Sequence, residues 1–160
     1  MTTRSPLEIR QASTADLDEI VELWKEFMDF HRQRDPFFTR AVDGHRRFRS
    51  FVAENLESPD WAVLVSIEAD RPVGYIMATV LEYPPVFEVK RHGFVQDIAV
   101  TEVARRHGVG SALFERAETW FRKRGITRIE LNVAAANDTS QAFWRRLGFT
   151  DSIHRWAKDL

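Results

Sequence analysis

At 160 residues, 44% hydrophobic and 29% charged, the chain can bury one substantial core but not two, so a single domain over residues 1–160 is expected. A formal net charge of −1 argues against a general attraction to nucleic acid or to an anionic membrane. The lack of cysteine excludes a disulfide framework, a thiolate nucleophile and a cysteine metal site.

The opening MTTRSPLEIR carries no apolar stretch of leader length and no membrane-length apolar run follows, so a cytoplasmic location is expected. Residues 7–11 form a short strand candidate, and Ser13-Thr14-Ala15-Asp16 reads as a capping box. Leu17, Ile20, Val21, Trp24, Phe27, Met28 and His31 fall on one helical stripe, which predicts an amphipathic helix over residues 15–32. Asp35-Pro36 breaks that pattern. Phe37 and Phe38, adjacent in a loop, cannot both point inward: one packs under the helices, or the pair lines a cleft.

Residues 40–56 read as a second helix with Phe48, Phe51, Val52 and Leu56 on its inner face. Arg46, Arg47 and Arg49 read as a solvated cationic face, since no nucleic-acid motif accompanies them. Strands over residues 61–67 and 73–81, separated by the turn 69–72, predict an antiparallel hairpin. Gly74 suggests a bulge or a close backbone approach there. Residues 82–92 form a polar connection with a double proline, of the kind that is functional or mobile.

Residues 93–113 hold the most informative pattern. An apolar run carrying Gln96 and Asp97 reads as a buried strand, and a basic turn over residues 101–107 leads to Gly108-Val109-Gly110-Ser111 and a helix over residues 109–124. The first N–H groups of a helix lack intrahelical partners and its dipole makes that end positive, so strand, glycine turn and helix start suit a phosphate. Arg105 and Arg106 add positive charge and fixed donors, and His107 stands in the same turn. A Walker loop would need Lys after Gly110, where Ser111 stands, and a dinucleotide fingerprint would need a small residue at Leu113. Glu130 does lie at about the right distance for the ribose acid of that fingerprint, so its rejection rests on the turn.

Gly125 closes this helix, residues 126–133 alternate as a strand, and Asn137 or Asp138 caps a helix reaching about Leu147. Gly148 stops that helix and residues 149–157 read as a last strand. Asn137-Asp138-Thr139 matches a glycosylation acceptor, which carries no weight without secretion, and the five histidines show no metal-binding spacing. Helices and strands mix without strict alternation, which argues for a mixed sheet.

Arg105-x-x-Gly108-x-Gly110 resembles the acetyl-CoA-binding signature of the GCN5-related N-acetyltransferases (GNAT). Asn137-x-x-Ser140-x-x-Phe143-Trp144-x-x-Leu147-Gly148-Phe149 is similar to that family's second conserved block. The resemblance implies an α/β (α+β) fold: a mixed, mostly antiparallel sheet of six to seven strands, with a splayed parallel pair at residues 93–100 and 126–133 and about four flanking helices. Acetyl-CoA would lie in the wedge. The resemblance places Ile98, Ala99 and Val100 along pantetheine, with an N–H near Ile98 facing the thioester carbonyl. It places the pyrophosphate on the N–H groups from Arg106 through Val109 to Ser111, and the cofactor's amide on Asn137, flanked by Ser140 and Phe143, with Trp144 over the cofactor or in the core.

An alkylammonium of pKa ~10.4 must lose a proton before it can attack a thioester. Asp97 is the first candidate base, because burial in an apolar strand would raise its pKa; the alternative is a structural bond to a neighbouring N–H. Some relatives carry Glu where Gln96 stands, and Gln96, facing the opposite side from Asp97, cannot act as a base. Glu82 and Glu130 are reserves acting through water. Many relatives carry a Tyr acid where Trp144 stands; a thiol of pKa ~8.5 is a fair leaving group unaided, and Tyr83 or Ser140 could substitute. Glu82, Glu88, Asp29, Asp35, Phe37, Phe38 and Tyr83 would suit a cationic acceptor. The expected activity is therefore direct acetyl transfer to a primary amine of a small molecule, polyamine-like or otherwise cationic, or of a protein. A non-catalytic acyl-CoA sensor is the rival reading, and a homodimer is compatible with the resemblance.

Overall fold

The computed structural model describes residues 7–160; the leader reading of the first six residues, and their share of the expected domain, lie outside the described residues. Five strands form one sheet in the order β1 (Glu8–Gln11), β2 (Trp61–Glu68), β3 (Arg71–Glu82), β4 (Arg91–Val100) and β5 (Ile129–Leu131). The first four are antiparallel neighbours, and β5 runs parallel to β4. Helices α1 (Leu17–Arg32) and α2 (Gly44–Asn55) cover one face; α3 (Val109–Lys123) and α4 (Asp138–Arg146) pack into the core on the other. Every residue from 62 to 67 in β2 is buried, as expected for a strand covered on both faces.

Local chemistry explains most of the boundaries. Ser13 and Asp16 make the capping box, and α1 begins at Leu17 after a single 3-10 turn. Arg40 is diverted to an ion pair with Asp29 at 3.1 Å, and α2 starts only at Gly44, four residues later than the apolar pattern suggests. Ala69 and Asp70 both take positive φ, as a two-residue hairpin turn of the primed type requires. Ser66 pairs with Gly74 and Ile67 with Pro72, so Val73 is a bulge. A Cβ on Gly74 would stand 3.1 Å from the Ala99 carbonyl, so both readings of this glycine hold.

The expected strand over residues 149–157 does not form, and the sheet has five strands rather than six or seven. Phe149 instead donates its N–H to Trp144 O and packs its ring on Trp144 and Phe114. Beyond it Ile153 and Trp156 are 84% and 91% exposed, so the β-prone side chains that suggest a strand have neither a ladder nor a face to bury. The strand expected over residues 126–133 shrinks to Ile129–Leu131, because Ile126 is held by Phe121 O at the end of α3. No helix of the described residues is long and apolar enough to cross a membrane.

Gly93 sets the β4–α3 distance: a Cβ there would stand 2.6 Å from the fully buried Phe121 ring. Gly93→Ala is expected to cost ~1–3 kcal/mol in urea unfolding, the usual penalty of overpacking. An unchanged midpoint would mean that α3 can shift freely on the sheet.

Candidate active site

The site grows from the parting of β4 and β5. Their ladder runs through three pairs only, ending at Val95 with Leu131, whereas β4 continues to Val100. At this point β4 is itself irregular. Val95 pairs with Ala78 but Asp97 with Met77, leaving Gln96 as an exposed bulge residue without a β3 partner. The bulge turns Asp97 to the face of Met77 and the α1–α2 core, while Val95 belongs to the α3 core. Beyond it, the backbone of Ile98, Ala99 and Val100 lies on β4 past the last β5 pair.

At the far end of β4 the turn leads into α3. Gly108, left-handed at φ 79°, is the N-cap, and the first bond of the turn runs from Ala112 N–H to its carbonyl. The N–H groups of Val109, Gly110 and Ser111 therefore precede the intrahelical ladder. Nothing lies within 4 Å of a Cβ placed on Gly108, while one on Gly110 would meet the Phe143 ring at 3.3 Å. A positive helix end with small residues on its approach fits the pyrophosphate of a CoA.

Arg105 serves this turn structurally. Its Nε donates to Val100 O at 3.0 Å and its Nη2 to Glu26 at 3.1 Å, so it ties the turn to β4 and α1. Arg106, with φ 63°, and His107 are exposed on the rim. Asn137 is buried: its Oδ1 accepts the Ser140 N–H at 3.1 Å and its Nδ2 faces His31. Ser140 is partly exposed on the first turn of α4. Trp144 lies in the core, edge-on to Phe114 and Phe149.

Asp97 is half-buried, and loss of solvent pushes its carboxyl up to about 7. No hydrogen bond to a neighbouring N–H holds it among the described residues. Because the folded state holds this proton more tightly than the unfolded chain, Asp97 favours folding most at low pH. That contribution is lost as pH rises from the unfolded value towards about 7. Asp97→Asn is therefore expected to be the more stable protein at about pH 8, by ~1–3 kcal/mol, with the gap closing towards about pH 4. Denaturation midpoints that differ equally at both pH values would contradict this.

A second cluster occupies the other end of the same face. The Tyr83 hydroxyl donates to Glu130, and Arg128 Nε reaches both Glu130 at 2.7 Å and the Tyr83 oxygen at 3.2 Å. The His92 ring stacks on Tyr83 at 4.0 Å with its Nε2 3.6 Å from Glu130. Burial and the bond to Glu130 both raise the Tyr83 pKa. Glu130 is held below its usual value: burial pushes it up, but the Tyr83 hydroxyl and Arg128 outweigh that. His92 and Arg128 escape sequence reasoning because they join the site only through the hairpin register and the parallel β4–β5 pairing. Glu82 is exposed and pairs with Arg91 in the ladder. Phe38 packs on the His31 ring at 5.1 Å, whereas Phe37 is 84% exposed.

Residues 17–149 match the acetyltransferase (GNAT) family. An uncharacterised N-acetyltransferase of Methanocaldococcus jannaschii is 26% identical over 89% of the chain, which spans 60% of that relative's length. The aminoglycoside N(6')-acetyltransferase type 1 of Acinetobacter haemolyticus is 27% identical, with 91% of this chain and 92% of that one aligned. Among solved structures, a variant of the BH1408 protein from Bacillus halodurans superposes with a TM-score of 0.85 at 22% identity, covering 96% of this chain and 99% of that one. The chain belongs to the acetyltransferase (GNAT) family, as an N-acetyltransferase with acetyl-CoA as its cofactor.

Proposed function

We propose that this chain, a single cytoplasmic domain, transfers acetyl directly to a primary amine of a cationic small molecule. The carrying observation is the alignment of three features along β4: a half-buried carboxyl at Asp97, backbone at Ile98–Val100 that pairs with β3 but has no β5 partner, and the glycine-lined start of α3. When bound, acetyl-CoA supplies an acyl group already activated as a thioester. The N–H groups of Val109, Gly110 and Ser111 hold its pyrophosphate, with Arg106 and His107 on the rim and Arg105 shaping the turn. On the side that β5 leaves open, the backbone of Ile98 and the Val100 N–H would offer strand-like bonds to the pantetheine amides, with the Ile98 N–H serving the acyl carbonyl and Ala99 between them pairing with β3. Asn137 sets the turn of α4 that brings Ser140 and Phe143 to the same side.

Asp97, poised near neutrality, takes the proton of the ammonium. A CoA thiol, of pKa ~8.5, would need no strong acid to leave, and the partly exposed Ser140 hydroxyl on the first turn of α4 is the donor this chain would offer it. The Tyr83 hydroxyl donates its hydrogen bond to Glu130 and holds its proton more tightly than usual, which fits a part in holding the acceptor better than a part as acid. Glu130, Glu82 and Tyr83, with Phe37 and Phe38 at the end of α1, supply the acidic and aromatic surface that a cationic amine prefers. The aminoglycoside acetyltransferase among the relatives supports a multiply charged amine. All these groups come from one chain, so the reading holds for a monomer or a homodimer.

A panel of polyamines, aminoglycosides, neutral amines and lysine peptides, scored by acetylated product, tests the acceptor. Polycationic small molecules are expected to lead. Turnover confined to neutral amines or to peptides would overturn this choice, and CoA binding with no turnover on any amine would make the domain a sensor.

A further inference from the structure

One buried polar contact joins the two banks of the site. His31 Nδ1 lies 2.8 Å from the Phe27 carbonyl, and a carbonyl only accepts, so Nδ1 carries the proton and Nε2 is left as an acceptor. That Nε2 faces the Asn137 side-chain N–H at 3.3 Å. With its nitrogen so committed, Asn137 turns its oxygen to the Ser140 N–H at 3.1 Å and caps α4. His31 and Asn137 are 8% and 4% exposed, and they lie 106 residues apart in sequence. The carbonyl sets the imidazole tautomer, the tautomer sets the amide orientation, and the amide sets the helix cap.

The contact is polar where packing alone does not require it. Rings of Phe27 and Phe38 flank His31 at 4.3 and 5.1 Å, so an apolar side chain would sit there as comfortably. A histidine on the apolar stripe of α1 therefore serves its hydrogen bonds. Beyond the cap, Phe143 on α4 packs over Gly110, the second glycine of the phosphate turn. The same His31 ring supports Phe38, on the acceptor side.

We propose that His31 is a positioning residue: through Asn137 it holds the first turn of α4, and with it the wall that Phe143 builds beside Gly110. The kinetic part of this rests on the function proposed above; the structural part does not.

The test compares His31→Leu, which keeps volume but loses the acceptor, with His31→Gln, which keeps a donor and an acceptor. Hydrogen exchange at the Ser140 amide is read without cofactor, and KM for acetyl-CoA is read separately from kcat. His31→Leu is expected to speed Ser140 exchange about tenfold relative to a β3 amide and to raise KM several-fold, with kcat within about twofold. His31→Gln is expected to restore both. In an Asn137→Ser background, where serine caps α4 by itself, His31→Leu should change neither. Unchanged Ser140 exchange in His31→Leu would overturn the proposal whatever happens to KM. Should that variant not fold, parental protection of Ser140 in His31→Gln supports the link, and its loss overturns it. A parent protein that ignores acetyl-CoA but shows the expected exchange would refute the function and leave the link standing.

Discussion

Asp97→Asn is expected to lower kcat by ~10²–10⁴, the usual loss when a positioned base is removed. The amide has nearly the shape of the carboxylate and fits the same half-buried site, so KM for acetyl-CoA should stay within about twofold. The parent's rate should rise with pH through about 7, where desolvation places the Asp97 carboxyl, because only the ionised form accepts a proton. In the variant that limb should vanish, leaving the slower rise set by the ammonium itself at ~10.4. A variant that keeps both the rate and the limb near 7 would move the base elsewhere, with Glu130 the next group to test. Glu130 is the weaker candidate because Tyr83 and Arg128 already hold it in its charged form, lowering its basicity.

Ser111→Glu should separate cofactor binding from folding. Ser111 is partly exposed in the first turn of α3, where a carboxylate interacts well with the helix dipole. Stability should therefore be unchanged or rise by ~0.3–1 kcal/mol. The same carboxylate would stand where the pyrophosphate is proposed to lie. Like charges ~4 Å apart at an effective dielectric of ~20 repel by ~4 kcal/mol before screening, so a ~10- to 100-fold rise in KM for acetyl-CoA is a modest expectation. Unaltered affinity in a stable variant would remove the pyrophosphate from this helix end.

The two predictions draw on parts of the chain that differ in how openly the sequence declares them. The cradle is legible because its chemistry is local: Gly108 and Gly110 stand beside a helix start, and neither needs a distant partner to be understood. Asp97 is legible as an oddity, a carboxylate within an apolar run. Its direction depends on the bulge at Gln96, and residues 94–100, apolar apart from the adjacent pair Gln96-Asp97, offer no alternation from which a bulge could be read. The Tyr83–His92–Glu130–Arg128 cluster depends on the register of two strand pairs, which no local pattern specifies. His31 shows the same limit: its place on the apolar stripe of α1 is plain, but its partner lies 106 residues away. The tail errs in the other direction, since Ile153 and Trp156 carry strand propensity without a strand to join.

The most direct test of the account is thiol release from acetyl-CoA, followed with and without a polycationic amine, alongside a count of acetylated product. The prediction is release that requires the amine, matches the product one for one, and leaves no acetyl on the protein, as direct transfer demands. Thiol release without amine, or an acetylated protein that precedes product, would contradict it.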